Sequence, residues 1–233
     1  MPSDFLMHYG IPGMKWGVRR FQEKGSSKRT EAGKKRYAHS IKDLADKVYN
    51  RASNLEPKIS KDVISVFKKN GAKSYGLENR LKTKSSIVRK ISDDSKKYGS
   101  TSRAANSIKD AIRYTALSSD DDFVSNYNGI KKSLEDLGYT ETRCRNYFDL
   151  YRQGKSKHKQ ITTVYSDPNG NEFEIQFQTP SSIKAKESKT PIYEEARRPN
   201  VSSSRKSELE KQMDSLAKSV KNPKGVYSIK SHG

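Results

Sequence analysis

The sequence predicts an α+β fold, a mixed β-sheet flanked by helices, with a basic helical N-terminal region and flexible tails. Three observations carry this. The stretch Asn171–Thr179 alternates Phe173, Ile175 and Phe177 with Glu174, Gln176 and Gln178, the period of two that gives a strand one apolar and one polar face. Ser166-Asp167-Pro168-Asn169-Gly170 joins it to Gln160–Tyr165, a strong hairpin signal. Apolar residues at helical spacing recur before and after these strands.

Taken in order, residues 1–37 read as a leader in which Gly10, Pro12, Gly13 and Gly17 oppose helix and Trp16 with Arg19-Arg20 suits a docking peptide. Residues 38–74 form a helical region. Ile41, Leu44, Ala45, Val48, Tyr49 and Ala52 mark one helix, Pro57 ends it or begins the next, and Ile59, Val63, Val66 and Phe67 mark a second closed by Asn70-Gly71. Leu77–Ile91 is expected as a third helix, and the polar stretch that follows as a loop able to close over a ligand. Ser107–Thr115 is expected as a strand with Asp110 at its edge. A helix carrying Phe123, Tyr127, Ile130 and Leu134 then covers one face of the sheet, Thr140–Phe148 adds a strand, and Pro180 opens another helix. The principal domain spans residues 75–198. Residues 199–233 supply a last amphipathic helix and a basic tail expected to fray.

Hydrophobic residues make up 31% of the 233 and charged residues 32%, lean for a globular chain and consistent with sizeable exposed segments. The net charge of +20 is uneven: residues 1–105 carry +15, residues 106–198 are close to neutral. A basic front half suits an anionic partner, nucleic acid first, or simply solubility. A single cysteine, Cys144, leaves no internal disulfide framework or Cys-rich metal site. No apolar run approaches membrane-spanning length, so no membrane partner and a cytoplasmic protein are expected.

The residue types also suggest chemistry. Glu174 and Asp110, on neighbouring strands with Arg113, suit a divalent cation bound with phosphate oxygens; a half-solvated sheet face explains the same pattern. Arg80, Lys82, Lys84, Arg89 and Lys90 cluster enough cations for a triphosphate, or for a solvated basic face. There is no P-loop and no glycine-rich dinucleotide turn, which argues against a Walker-type ATPase.

Arg80-Leu-Lys82, Ser86-Ile87 with Lys90, the pair Asp110 and Arg113, and Glu174-Ile-Gln176 occur in an order that resembles the RelA/SpoT nucleotidyltransferase family. The resemblance implies a nucleotidyltransferase-like core that moves pyrophosphate from ATP to a 3′-hydroxyl. It implies Asp110 as a Mg2+ ligand, Glu174 as a second ligand or the group that orients the attacking hydroxyl, and Gln176 as the residue that fixes Glu174. Arg80, Lys82, Lys90 and Arg113 become the ATP-phosphate contacts, and Arg145, Tyr147, Tyr151 and His158 the acceptor contacts. The phrase Glu174-Ile-Gln-Phe-Gln-Thr-Pro-Ser-Ser182 resembles members carried by phages and polymorphic toxins, with Gln178 and Thr190 where those have His. Gly154-Lys155-Ser156-Lys157-His158 lacks the tyrosine that stacks on guanine in long alarmone synthetases, which turns the expected acceptor towards tRNA. The leader resembles those encoded among phage structural genes. That implies a phage-borne protein of the host cytoplasm, packaged in virions or docking on a capsid or portal through residues 8–20. The rival expectation is a non-enzymatic virion or DNA-associated structural protein that kept the fold.

Overall fold

A computed structural model describes residues 30–198 and 200–233; the expectations for the leader at residues 8–20 fall outside them. The first element, α1 (Glu31–Lys69), is one continuous 39-residue helix with Pro57 inside it, where the sequence suggested two. The reason is phase. Ile41, Ala45, Val48, Ala52, Ile59, Val63, Val66 and Phe67 form one uninterrupted buried stripe, and packing of that stripe offsets the ~3 kcal/mol that an interior proline costs.

The sheet has the order β1-β2-β5-β4-β3, with β1 (Lys73–Ser74), β2 (Arg113–Leu117), β3 (Thr140–Asn146), β4 (Ile161–Ser166) and β5 (Glu172–Gln178). Only β2 and β5 run parallel; the other pairs are antiparallel. The mixed sheet flanked by helices is the expected fold class. The hairpin between β4 and β5 closes where the sequence placed it, with Asp167 Oδ1 accepting from the Asn169 and Asn171 amides and Gly170 at φ +80°. On one face Phe173, Ile175 and Phe177 pack beneath α1 and α4 (Phe123–Asp136), where Tyr114, Tyr139 and Tyr165 surround the Phe173 ring.

Two further stretches depart from the sequence reading, and both of these departures build the site. The expected helix 77–91 is a short 3-10 turn at Leu77–Asn79 followed by α2 (Lys84–Asp94). The Thr83 side chain caps α2 by accepting from the Ser86 amide, which leaves residues 81–82 outside both helices, with Leu81 bridging Ile112. The expected strand 107–115 starts only at Arg113. Before it lie α3 (Thr101–Asn106) and an irregular segment holding Asp110. Residues 80–82 run beside 111–113, with Lys82 N donating to Ala111 O and Arg113 N to Arg80 O. The predicted loop before residue 106 is therefore partly helical, because Ala104 and Ala105 bury in the core.

After β5 come α6 (Pro180–Ala196) and α7 (Ser203–Lys218), and after β3 comes α5 (Tyr147–Arg152). The C-terminal segment does not fray. Cys144 and His232 exchange backbone hydrogen bonds, and the buried Asn146 side chain donates to the carbonyls of Val226 and Ile229 while its oxygen caps α5. N146A is expected to cost about 2–4 kcal/mol in urea unfolding, from a lost cap and orphaned carbonyls, and to speed exchange of the His232 amide. An unchanged midpoint would remove Asn146 as the anchor.

Candidate active site

The polar face of the sheet lies opposite the aromatic face, and strand register decides who meets whom there. Arg113 on β2 pairs with Glu174 on β5, and Val164 on β4 lies across from Glu174. Arg143 on β3 pairs in turn with Val164, so one row across the sheet reads Arg113, Glu174, Val164, Arg143. The next row reads Thr115, Gln176, Thr162, Arg145. Neighbouring strands stand about 4.8 Å apart, so Arg113 flanks Glu174 directly on one side, while Arg143 stands two strands away on the other, beyond Val164. This polar face is not solvated. Glu174, Gln176 and Gln178 are 8%, 7% and 1% exposed, and Gln176 Nε2 donates to Glu174 Oε1 at 2.8 Å.

Asp110 faces two lysines. Lys82 Nζ donates to its Oδ2 at 2.5 Å and Lys90 Nζ to its Oδ1 at 2.9 Å. Burial opposes its ionisation, but the charges and hydrogen bonds of Lys82 and Lys90 outweigh burial and hold its pKa below the ordinary value. Burial raises the pKa of Glu174; the Gln176 bond opposes this and the Asp110 charge adds to it. The two carboxylates share a cavity of about 160 Å3 with Lys90, Lys109 and Arg143. A larger cleft of about 600 Å3 opens on the other side of the Lys90–Asp110 pair, walled by Lys82, Arg89, Arg113, Tyr193 and Arg197. Five cations outnumber by one the four carboxylates of its lining, Glu78, Asp93, Asp94 and Asp110, a slight excess that suits phosphate oxygens.

Among the described residues no group of three or more His, Cys, Asp or Glu could hold a metal by itself. A Mg2+ ion needs only one or two carboxylates when substrate phosphates complete its shell. Two carboxylates lining one small cavity fit that requirement, with Lys82 and Lys90 on the Asp110 oxygens. Asp110 would hold the ion, with Glu174 as a second ligand or as the group that orients the hydroxyl.

The structure thus brings together Asp110, Glu174, Gln176, Lys82, Lys90 and Arg113. It sets Arg80 apart: its guanidinium binds Glu56 on α1 and the Leu77 carbonyl, and it does not line the cleft. The acceptor candidates also divide. Arg145 is exposed and donates to the Gly233 carbonyl. Tyr147 packs against the His158 ring, centroids 4.3 Å apart, and desolvation with the charges of Lys189 and Lys186 lowers the His158 pKa. Tyr151 turns away to Asp214 on α7, with the Lys159 ammonium over its ring. His158 helps to wall a third cavity of about 520 Å3, between α6, α7 and the loop that precedes β4. Sequence reasoning missed Arg143, Lys186, Tyr193 and Arg197. Register places the first, and the course of α6 places the others.

A family of unknown function, DUF7211, matches residues 1–23. No curated protein matches the chain. Among solved structures, the small alarmone synthetase 2 from Bacillus subtilis is similar at 18% identity and a TM-score of 0.50, over 74% of this chain and 89% of its own. The type VI effector Tas1, solved with its immunity protein, aligns at 16% identity and a TM-score of 0.47, over 75% and 94%. A GTP pyrophosphokinase family protein from Streptococcus pneumoniae aligns at 15% identity and 0.48, over 77% and 86%. The first of these likenesses places the chain in the fold of the small alarmone synthetases.

Because its pKa is depressed, Asp110 contributes stability that is fully present above the ordinary value of 3.8 and is lost as pH falls through the folded-state pKa. D110N is therefore expected to cost about 2 kcal/mol at neutral pH by stranding two lysines, with the gap from wild type closing in acid. Urea unfolding at stepped pH measures it. A gap that persists unchanged in acid would show that the carboxylate's charge is not what stabilises this node.

Proposed function

We propose that this protein transfers pyrophosphate from ATP to a ribose hydroxyl of a nucleotide or RNA. The observation that carries the reading is the cleft in which Lys82, Lys90 and Arg113 surround Asp110 beside the buried Glu174, on a fold similar to that of a small alarmone synthetase. Transfer of this kind depends on positioning and charge neutralisation more than on covalent help. The acceptor oxygen attacks the β-phosphorus, the bond from that phosphorus to the α,β-bridging oxygen breaks, and the electron pair leaves on AMP. Lys82, Lys90, Arg113 and the cleft arginines Arg89 and Arg197 hold the phosphates as their charge shifts. Glu174, fixed by Gln176, orients the attacking hydroxyl and accepts its proton; a carboxyl with a raised pKa suits that role. A bound Mg2+ would supply further neutralisation of the phosphate oxygens.

For the acceptor, α5 and the loop after it offer no free aromatic platform among their described residues. Tyr147 is taken by His158 and Tyr151 by Lys159 and Asp214. A free guanine nucleotide would need such a platform, whereas an RNA can bind through many phosphate contacts to a chain of charge +20. The preferred acceptor is therefore the 3′ end of tRNA. A phage-borne or toxin-like setting, with residues 8–20 docking on a capsid or portal, belongs to the same proposal and rests on the sequence of the leader and of the phrase Glu174–Ser182.

A second reading has one observation in its favour: Asp110 is saturated by two lysines, as in a purely structural ion pair. Incubation with γ-labelled ATP, Mg2+ and either tRNA, GDP or GTP separates the two. The enzyme reading expects label on tRNA, and E174Q is expected to lower kcat by about 10²–10⁴-fold with KM for ATP little changed. Full activity in E174Q would overturn the role of Glu174, and absence of ATP binding would favour the structural protein. RNA affinity should fall steeply with salt; rapid labelling of GDP with none of tRNA would overturn the acceptor assignment.

A further inference from the structure

The polar row on β5 is completed from outside the strand. Thr179 caps α6 by accepting from the Ser182 amide at 3.3 Å, and Ser182 Oγ accepts in return from the Thr179 amide at 2.9 Å. With Pro180 in the first turn, this box sets the angle at which α6 folds back over the strand it has just left. Lys186, about 10 Å along the helix from Thr179 at 1.5 Å per residue, thereby returns over Gln176. Its Nζ donates to Gln176 Oε1 at 3.0 Å.

That contact decides which way the Gln176 amide points. Both ends of a glutamine amide have the same shape, and only partners distinguish them. Gln176 Oε1 accepts from Lys186 and, at 3.3 Å, from Gln178 Nε2. Gln178 is itself held by Ser182 Oγ, which donates to its Oε1 at 3.3 Å. With two donors on its oxygen, Gln176 must turn its NH2 towards Glu174, the arrangement found at 2.8 Å. A reversed amide would set nitrogen against an ammonium and oxygen against a carboxylate, two repulsive contacts in a buried row.

We propose that Lys186 is a positioning residue for the transfer reaction: it locks the Gln176 amide so that its NH2 holds Glu174 in one rotamer beneath the acceptor hydroxyl. The inference rests on the function proposed above, in which Glu174 serves the acceptor. Lys186 reaches Glu174 only through Gln176. Desolvation and the charge of Arg113 lower the pKa of the Lys186 ammonium, and the charges of Glu174 and Glu187 oppose this. The cation enters the row from the following helix because the strand itself offers none at 174, 176 or 178.

The test uses the full chain and two independent readouts. In the labelled-ATP assay, K186M is expected to lower kcat about 10–100-fold, the usual cost of removing a supporting partner, with KM for ATP unchanged and with K186R recovering most of the loss. Q176L should cost a similar factor, and K186M/Q176L no more than either alone. In 15N spectra, the Gln176 side-chain amide, assigned by its loss in Q176L, is expected to show a downfield proton. That shift should vanish in K186M and survive in K186R. A Gln176 amide unchanged in K186M, or single effects that multiply in the double variant, would overturn the proposal. If wild-type protein labels no acceptor, the transfer reading falls and the amide resonance alone decides: loss in K186M supports the lock, persistence refutes it.

Discussion

Asp110 is the point on which the site depends, because one carboxylate there answers two lysines from different segments. Lys82 comes from the segment before α2 and Lys90 from the middle of α2. Three charged groups in a partly buried setting are costly to desolvate. The geometry is tolerable because both carboxylate oxygens are used and the lysines keep some exposure, 16% and 36% at the side chain against 13% for Asp110. The node of two lysines and one carboxylate is net positive, and the cleft beside it adds Arg89, Arg113 and Arg197 against Glu78, Asp93 and Asp94, with Arg197 3.7 Å from Asp93. Phosphates bound there would meet the cations left over once these pairs are made.

The second constraint is burial of a polar strand face. Glutamate and two glutamines on β5 are covered by α6, so each needs a partner inside the protein. They solve this in series: Ser182 holds Gln178, Gln178 and Lys186 hold Gln176, and Gln176 holds Glu174. A network satisfied in this way is rigid, the property that the role proposed for Glu174, orienting a hydroxyl, would require. On the opposite face the aromatic cluster around Phe173 anchors the same strand, so both sides resist any shift in register.

The sheet's outer strand shows a different economy. β3 lies at the free edge, where unpaired backbone groups invite association. The C-terminal segment covers part of that edge through His232, and His232 Nε2 lies 3.0 Å from Glu141 Oε1. Glu141 is almost wholly buried and is also met by Lys131 and by the hydroxyls of Tyr127 and Tyr165. A tail that reads as basic and polar is thus ordered by a few specific acceptors together with the burial of Val220, Val226 and Ile229 in the core.

Local pattern in the sequence determined the elements whose signals are local. Period-two alternation marked β5, an Asp-Pro-Asn-Gly turn marked the hairpin, and the helical stripe marked α4. Asp110, Glu174, Gln176, Lys82, Lys90 and Arg113 were legible as a set because they recur in a family's order, and the fold brings those six into one region. The tertiary structure alone decided the rest, for reasons that act over distance. Pro57 stays inside α1 because the stripe on either side of it packs on one core. Arg80 leaves the cleft because Glu56, 24 residues earlier, is its nearer countercharge. The polar face of β5 is buried, and Lys186 with it becomes part of the site, because a capped turn folds α6 back over the strand. Sequence spacing shows which face a residue occupies; what covers that face is set by contacts between segments far apart in the chain.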